Sequence, residues 1–481
     1  MIRVQACAGV LALTLAMSGC SAPQPAPVEP RKPDVLLITV DTLRADRLGV
    51  YGYDVPTSPN IDRLASRGVR FADTSAQWPK TWPSMASMLT GAYPKTIGVN
   101  YRSRTLHPTL LLLGEVFQKE GYRTAAVVAN VNVGARFGFD QGFDEFVESW
   151  RESWSREAGG VPFKQQRPGD VKRFTNARIV TDHGLRWLEQ SDPDKPFFLW
   201  LHYIDPHGPY LPPAEYEEYF KDVDYPSAEL PRSKVARYQV QFDPATRQPI
   251  SDLAHYLAQY DREVRFLDDE IGRLLGELEE DTLVAFSADH GESFNEHDYW
   301  LEHGKLSYQP TASLPLIFAQ GDRLVGGRVV ETPVGLIDVP ATLLEIAGIE
   351  IPPTFEGDSL VGLIDGDEAA WAPPHVFMES GYHDATQLTV RQAGWKLIRV
   401  RADEDRAAMG GVEFELYDLD ADPGELTNLA AERPDVVERL SAVLDAWYTG
   451  GPRPRVKSGE LDLDSLTPEE LEQLRSLGYV Q

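Results

Sequence analysis

Several apolar runs in this 481-residue chain end in side chains able to hold a cation or move a proton. "DVLLITV" leads to Asp41, "TAAVVA" to Asn130, "FFLWLHYI" to Asp205 and His207, and "TLVAFSA" to Asp289 and His290. Hard carboxylate oxygens beside one imidazole suit Ca²⁺, Mg²⁺ or Mn²⁺, and also Zn²⁺. A divalent ion held by Asp41, Asp289 and His290 would draw in an anionic ester and lower the pKa of a nearby hydroxyl. One such hydroxyl stands in "WPKTWPSMASMLTG", where Pro83 and Gly91 bracket Ser84 to Thr90 as a short helix. Thr81, just ahead of it, reads either as a helix cap or as a nucleophile aimed by the positive helix end, and the two readings are compatible.

Positioning those residues requires a scaffold. Near-continuous apolar strands belong to a parallel sheet buried on both faces, and ligands sit beyond the carboxyl ends of its strands. Helical patterns lie between the runs. "IDRLASRG" places Ile61 and Leu64 on one side with Gly68 as a C-cap, and Tyr256, Tyr260, Val264, Leu267, Ile271, Leu274 and Leu278 recur at three- and four-residue steps. The alternation predicts an α/β fold, a doubly wound, mostly parallel sheet flanked by helices, over residues 34–370. From about 371 onward "HVFMES", "LTVRQAGWKLIRV" and "FELYDL" read as antiparallel strands, followed by a helix from about Pro434 to Trp447. This is a smaller C-terminal subdomain, 371–481, closed by a helix with a Thr467/Glu470 capping box that docks through Leu471, Leu474 and Leu477. Residues 151–175 and 211–250 are polar and aperiodic, in the manner of lids, binding loops or plain surface excursions.

The formal net charge of −28 excludes broad nucleic-acid binding, so an anionic substrate must be attracted locally. At the N-terminus Arg3 precedes an apolar run from Ala6 to Met17 and then "MSGC". Residues 1–20 resemble a bacterial lipoprotein signal with Cys20 as the lipidated residue; a plain secretory signal is the alternative. A Pro-rich tether, 21–33, follows. The expectation is an exported, cell-envelope protein that meets the membrane only through its lipid anchor. Cys7 lies inside the signal, so no intrachain disulfide is available to the mature chain.

"DVLLITVDTLRADRLGVYG", "TWPSMASMLTGAYP", "FFLWLHYIDPHGPY", "SADHGESFNEH" and "ELYDLDADPGELTNL" together resemble the bacterial sulfatases of the alkaline-phosphatase superfamily. The resemblance implies that Asp41, Asp289 and His290 are ligands of one divalent ion, calcium first, with Mn, Mg or Zn also possible. Thr42 stands where many sulfatases carry a second Asp. By the same resemblance Lys305 contacts the sulfate or phosphate oxygens, and His207 and His303 protonate the leaving oxygen or bind the ester. The implied substrate is a small anionic ester, or a sulfated or phosphorylated glycan or lipid.

Three positions depart from the family pattern. Thr81 fills the slot of the Cys or Ser that is oxidised to formylglycine, Met85 fills an Arg slot, and Ile97 replaces a common His. Oxidising a threonine carbinol yields a ketone, so the usual gem-diol cannot form. Thr81 instead suits direct attack, as in phosphodiesterases and phosphoglycol transferases of the same superfamily. Three functions are therefore expected in parallel: sulfate-ester hydrolysis, phosphodiester cleavage or phospho-group transfer, and a catalytically silent protein that binds anionic glycans. Other residues carry blander readings. Ser84 and Ser87 read as helix-surface hydroxyls, and Trp78 and Trp82 as packing or pocket-entrance residues. His297 reads as a solvated loop residue, His183 and His255 as structural, and Asn130 as an Asx turn or a site group. Lys80 and Lys95 read as sources of local positive charge or as plain exposed lysines.

Overall fold

The computed structural model describes residues 31–98, 103–151, 175–190, 192–321, 323–368, 371, 375–381, 386–401, 411–450, 459–460, 466–467, 470–471 and 474. The signal, most of the tether and nearly all of the 151–175 insertion lie outside the described residues. From Pro33 to Gln481 the chain forms one compact unit.

A nine-stranded sheet occupies its centre. Its strands are β1 (Val35–Val40), β2 (Val69–Ser75), β4 (Arg123–Val128), β5 (Glu145–Glu148), β6 (Phe197–Tyr203), β7 (Leu283–Ala288), β8 (Ser313–Ala319), β9 (Arg328–Val330) and β10 (Val334–Gly335). β3 (Ser103–Thr105) pairs instead with β15 (Gly459–Glu460) in a separate ribbon. The order is β10-β2-β8-β7-β1-β6-β4-β5, with β9 also on β2, and every pairing is parallel except the two that β8 makes. Every residue of β1, β6 and β7 is buried, as their unbroken apolar runs require of strands covered on both faces. Register then fixes the strand ends. Val40 pairs with both Tyr203 and Ala288, so Asp41 emerges level with Asp289.

Helices cover the sheet. α1 (Pro59–Ser66) is tied to the long helix Leu253–Leu275 by the Asp268 carboxylate, which accepts the N–H groups of Asn60 and Ile61. Arg67, not Gly68, caps α1. Gly68 is required for a different reason: a Cβ there would lie 2.2 Å from the Phe318 carbonyl oxygen of β8. The 211–250 insertion is described and largely irregular, with one 3₁₀ turn at Ala214–Tyr216. Among the described residues no helix is long and apolar enough to cross a membrane.

The C-terminal lobe is an antiparallel sheet in the order β11 (Val376–Ser380), β12 (Gln387–Gln392), β13 (Trp395–Val400), β14 (Phe414–Asp418). The helix Pro434–Gly450 packs on it through Val436, Leu440 and Leu444. The lobe is bolted to the rest of the unit by Arg391 on Asp73 of β2 and by the fully buried Lys396–Glu425 pair inside the lobe, whose ammonium reaches the Ser307 carbonyl and whose carboxylate accepts the Gln309 N–H. Thr467 and Glu470 exchange the reciprocal bonds of a capping box, and Leu474 joins the main core.

Candidate active site

The ends of β7, β1, β6 and β4, neighbours in that order, deliver Asp289–His290, Asp41, Asp205–His207 and Asn130 to one edge of the sheet. α2 (Thr81–Thr90) points its first residue at them. The helix begins at Thr81, three residues earlier than Pro83 suggests, and Lys80 takes the cap position without a side-chain cap bond. Thr81 therefore does not spend its hydroxyl on capping. Its Oγ1 lies 3.2 Å from His290 Nε2 and also bonds the Asp289 carboxylate. The same His290 Nε2 stands 3.6 Å from Asp41 Oδ1 and 3.6 Å from Asp289 Oδ2. The structure thus brings Asp41, Asp289, His290 and Thr81 together. All four are fully buried.

Their hydrogen bonds leave a set of oxygen and nitrogen lone pairs facing one another. His290 Nδ1 donates to the Gly291 carbonyl at 2.9 Å, which leaves Nε2 as an acceptor or ligand. Asp289 Oδ1 accepts the N–H groups of Thr42 and His290, while its Oδ2 is buried without a hydrogen-bond partner among the described residues. The Asn130 amide donates to Asp41 Oδ2 at 2.5 Å and its carbonyl accepts from Asn132 N, so the Asx-turn and site readings both hold. Burial, and then the Asp41 charge, push the Asp289 carboxyl well above the ordinary range. Paired buried carboxylates with an orphaned oxygen are what a hard divalent cation neutralises, so these residues fit the implied ion. His202 of β6 joins them. With Asp41 and Asp289 it forms a group of side chains close enough together to hold one metal ion. Its ring Nδ1 contacts Thr39 Oγ1 at 2.9 Å, and burial depresses its pKa to about 3, so it is neutral.

A second layer of imidazoles extends from the first. The His303 ring lies 4.4 Å from that of His290, and His207 lies 5.2 Å from His303. Each is held by its Nδ1. His207 donates to the Gly208 carbonyl at 2.7 Å, which leaves its Nε2 as an acceptor, and His303 Nδ1 shares a hydrogen bond of 3.1 Å with Glu292 Oε1. Burial and then the charge of Lys80 keep His303 well below its ordinary pKa. Glu292 is itself pushed by burial to about 8. Tyr238 and Gln239, from the 211–250 insertion, lie over this layer. The Tyr238 ring stacks on His207, while Gln239 presses on Gly208 and donates to the Leu301 carbonyl.

Some of the remaining side chains stand elsewhere than the sequence suggests, and others, among them Trp78, Trp82, His183 and His255, stand where the packing and structural readings place them. Ser84 and Ser87 are buried, not on the helix surface, because α2 is covered all round; they bond the carbonyls of Asp289 and Ala92. Trp78 and Trp82 are core residues. His297 is half-buried and stacked on Tyr308, 3.6 Å between ring centres, rather than solvated. His183 and His255 sit on helices, the latter bonded to Gln241. Lys305 is half-buried two residues beyond His303, and Lys80 is nearly sealed from solvent. His202, Glu292 and the burial of Lys80 escape sequence reasoning. The signal for His202 is a lone imidazole inside an otherwise apolar strand between two chemistry-bearing ones.

The sulfatase family model matches residues 33–349, and a model of the C-terminal part of N-sulphoglucosamine sulphohydrolase matches 295–447. The chain is 27% identical to an arylsulfatase of Clostridium perfringens over 86% of this chain and 94% of that one. It is 24% identical to an N-acetylglucosamine-6-O-sulfatase of Bacteroides thetaiotaomicron, over 86% of this chain and 85% of that one. Among solved structures, a protein bound to its substrate D-glucosamine-2-N,6-O-disulfate matches with TM-score 0.72 at 20% identity, covering 88% of this chain and 100% of that one. A phosphonate monoester hydrolase from Silicibacter pomeroyi matches with TM-score 0.69 at 22% identity, over 87% and 95%.

Proposed function

The chain belongs to the sulfatase family, and from that premise we propose that it is an exported, metal-dependent hydrolase of anionic esters with Thr81 as the attacking group. The observation that carries this reading is the convergence of Thr81 Oγ1 on His290 Nε2 at 3.2 Å, with Asp41 and Asp289 alongside. Asp41, Asp289 and His290 would hold the divalent ion, calcium by family resemblance, with His202 within reach of the same carboxylates. Bound there, the ion supplies positive charge that favours the threonine alkoxide and offsets charge on the ester.

The residues then divide the work. Thr81 Oγ1 forms a bond to sulfur or phosphorus as the bond to the ester oxygen breaks. The threonine proton passes to a neutral imidazole, His303 or His207, and from there to the departing oxygen. Water opens the threonine ester in a second displacement: the imidazole takes the water's proton and Thr81 regains one. His303 suits this traffic because the contact of its Nδ1 with Glu292 orients the ring and burial keeps the imidazole neutral. Lys305 would steady the anion. Tyr238 and Gln239 support the lid reading of the 211–250 insertion, which shuts solvent away from the chemistry.

A sulfate ester is the substrate class favoured by the family. The threonine favours phosphodiesters, because a threonine sulfate lacks the elimination route that a gem-diol offers. The deciding experiment is a panel of aryl sulfates and aryl phosphodiesters run with wild type and Thr81→Ala, beside mass spectrometry of the peptide carrying Thr81. Turnover that vanishes in Thr81→Ala, with sulfate or phosphate trapped on that peptide, is the expected result and names the ester class. No turnover of either class by metal-loaded protein overturns the hydrolase reading in favour of anionic-glycan binding.

A further inference from the structure

His202 stands on β6 at a position to which the family resemblance assigns no role, yet its ring reaches the carboxylates of the candidate site. Register brings it there: His202 pairs with Thr39 of β1, two residues before Asp41. The Thr39 hydroxyl then anchors the ring. Its Oγ1 lies 2.9 Å from His202 Nδ1, accepts the Trp200 indole N–H at 2.9 Å and stands 3.5 Å from the Leu201 carbonyl. One placement of protons satisfies all three contacts. The hydroxyl donates to the carbonyl and accepts from both the indole and the His202 Nδ1–H. A lone pair is left on Nε2.

That lone pair receives no hydrogen bond. His202 is fully buried, and its Nε2 has no hydrogen-bond partner among the described residues. It stands 3.9 Å from Asp41 Oδ2, and ligand atoms of His202, Asp41 and Asp289 lie within 4.8 Å of one another. On the other side of the same carboxylate, His290 Nε2 stands 3.6 Å from Asp41 Oδ1. Asp41 therefore faces one imidazole with each oxygen. These gaps are too wide for hydrogen bonds. They suit atoms that share an ion: with bonds of about 2.1 Å and angles of about 110–140°, two ligands stand about 3.4–4 Å apart. The Asn130 amide on Asp41 Oδ2 does not close that side, because a carboxylate oxygen keeps a second lone pair and ligating carboxylates are commonly hydrogen-bonded.

We propose that His202 is a ligand of the bound ion, giving the site two carboxylates and two imidazoles and making it select a first-row transition dication over calcium. Calcium takes about six to eight oxygen ligands, whereas imidazole suits iron, zinc and their neighbours. Thr42, in the slot of a second Asp, supplies only a neutral hydroxyl. The inference rests on the metal-dependent part of the proposed function, replaces its family-based choice of calcium, and is independent of the ester chemistry.

The test uses the full chain, stripped with chelator and reloaded with Ca²⁺, Mn²⁺, Zn²⁺ or Co²⁺ alone. Affinities of wild type, His202→Gln and Thr39→Val are measured by calorimetry, and electron–nuclear double resonance on the Mn²⁺ forms counts coordinated imidazole nitrogens. Wild type should show two such nitrogens and bind Zn²⁺ about 100-fold or more tighter than Ca²⁺. His202→Gln should keep one nitrogen and lose about 100-fold in Zn²⁺ affinity, with Ca²⁺ affinity changed by no more than about threefold. Thr39→Val, which keeps the ligand but frees its ring, should lose about tenfold or more in Zn²⁺ affinity. A single imidazole nitrogen in wild type overturns the proposal, as do two nitrogens persisting in His202→Gln or calcium bound as tightly as zinc. Each of those results leaves a metal site built from Asp41, Asp289 and His290 standing. Wild type that binds none of the four ions overturns both readings. Should His202→Gln fail to fold, the wild-type nitrogen count and the Thr39→Val affinity decide the matter.

Discussion

Glu379, on β11, offers a measurable test of how the C-terminal lobe is held against the catalytic segments. Its side chain is 4% exposed, its Oε1 accepts the Lys95 N–H at 2.9 Å, and its backbone N–H donates to the Gln77 carbonyl at 2.9 Å, four residues before Thr81. Burial raises its pKa from 4.5 to about 7, with Lys95 and Arg401 only partly offsetting the cost. A folded-state pKa above the unfolded one means that the native chain holds the extra proton between those values. Stability is therefore greatest in acid and is lost as pH climbs through that window. The span from 4.5 to about 7 corresponds to about 3 kcal/mol at about 1.4 kcal/mol per pH unit. Glu379→Gln keeps the acceptor for Lys95 and removes the charge. With an unfolding entropy of about 2.1 cal/mol/K per residue over the unit from Pro33 to Gln481, about 3 kcal/mol corresponds to a rise of about 3 °C in Tm. The variant should melt with wild type at pH 4 and about 3 °C above it at pH 8, read by calorimetry on chelator-treated protein. Parallel pH profiles for the two proteins would refute the reasoning, because the charge on Glu379 would then cost nothing.

Two further outcomes follow from the geometry. Lys396→Met strands the Glu425 carboxylate in the interior and should cost about 3–5 kcal/mol in denaturant unfolding, with much of it recovered in the double variant Lys396→Met/Glu425→Gln; additive losses would count against a coupled pair. Chelation should abolish ester turnover and lower Tm. At free ion about 1,000-fold above its Kd the linkage is about 4 kcal/mol. A melting curve indifferent to chelator and to added calcium or manganese would remove the metal from the site.

What could be read in the sequence was whatever is set by local pattern. Unbroken apolar runs marked β1, β6 and β7 as doubly covered strands, and the polar residue ending each run marked the edge where chemistry gathers. The exchange between Thr467 and Glu470 was legible because a capping box is a four-residue motif. Contacts between distant segments were not legible. Ser84 appeared to be a surface hydroxyl because nothing in α2 states that the helix is covered on every side. Gly68 appeared to cap α1, while its necessity comes from the approach of Phe318 some 250 residues away. Glu292 and Lys80 look like ordinary charged residues until folding buries them against His303.

One end of β11 makes two main-chain bonds whose joint effect reaches the chemistry. Glu379 N–H donates to the Gln77 carbonyl and Gly381 N–H to the Gly304 carbonyl at 3.1 Å. The smaller sheet thereby works as a jig: a single strand terminus sets the spacing between the stretch that presents the nucleophilic alcohol and the stretch that presents the proton carrier. A truncated fragment that stops before 371 would keep every group named in the catalytic scheme and still lose the gauge between them. Chimaeras within the family should accordingly exchange both lobes together.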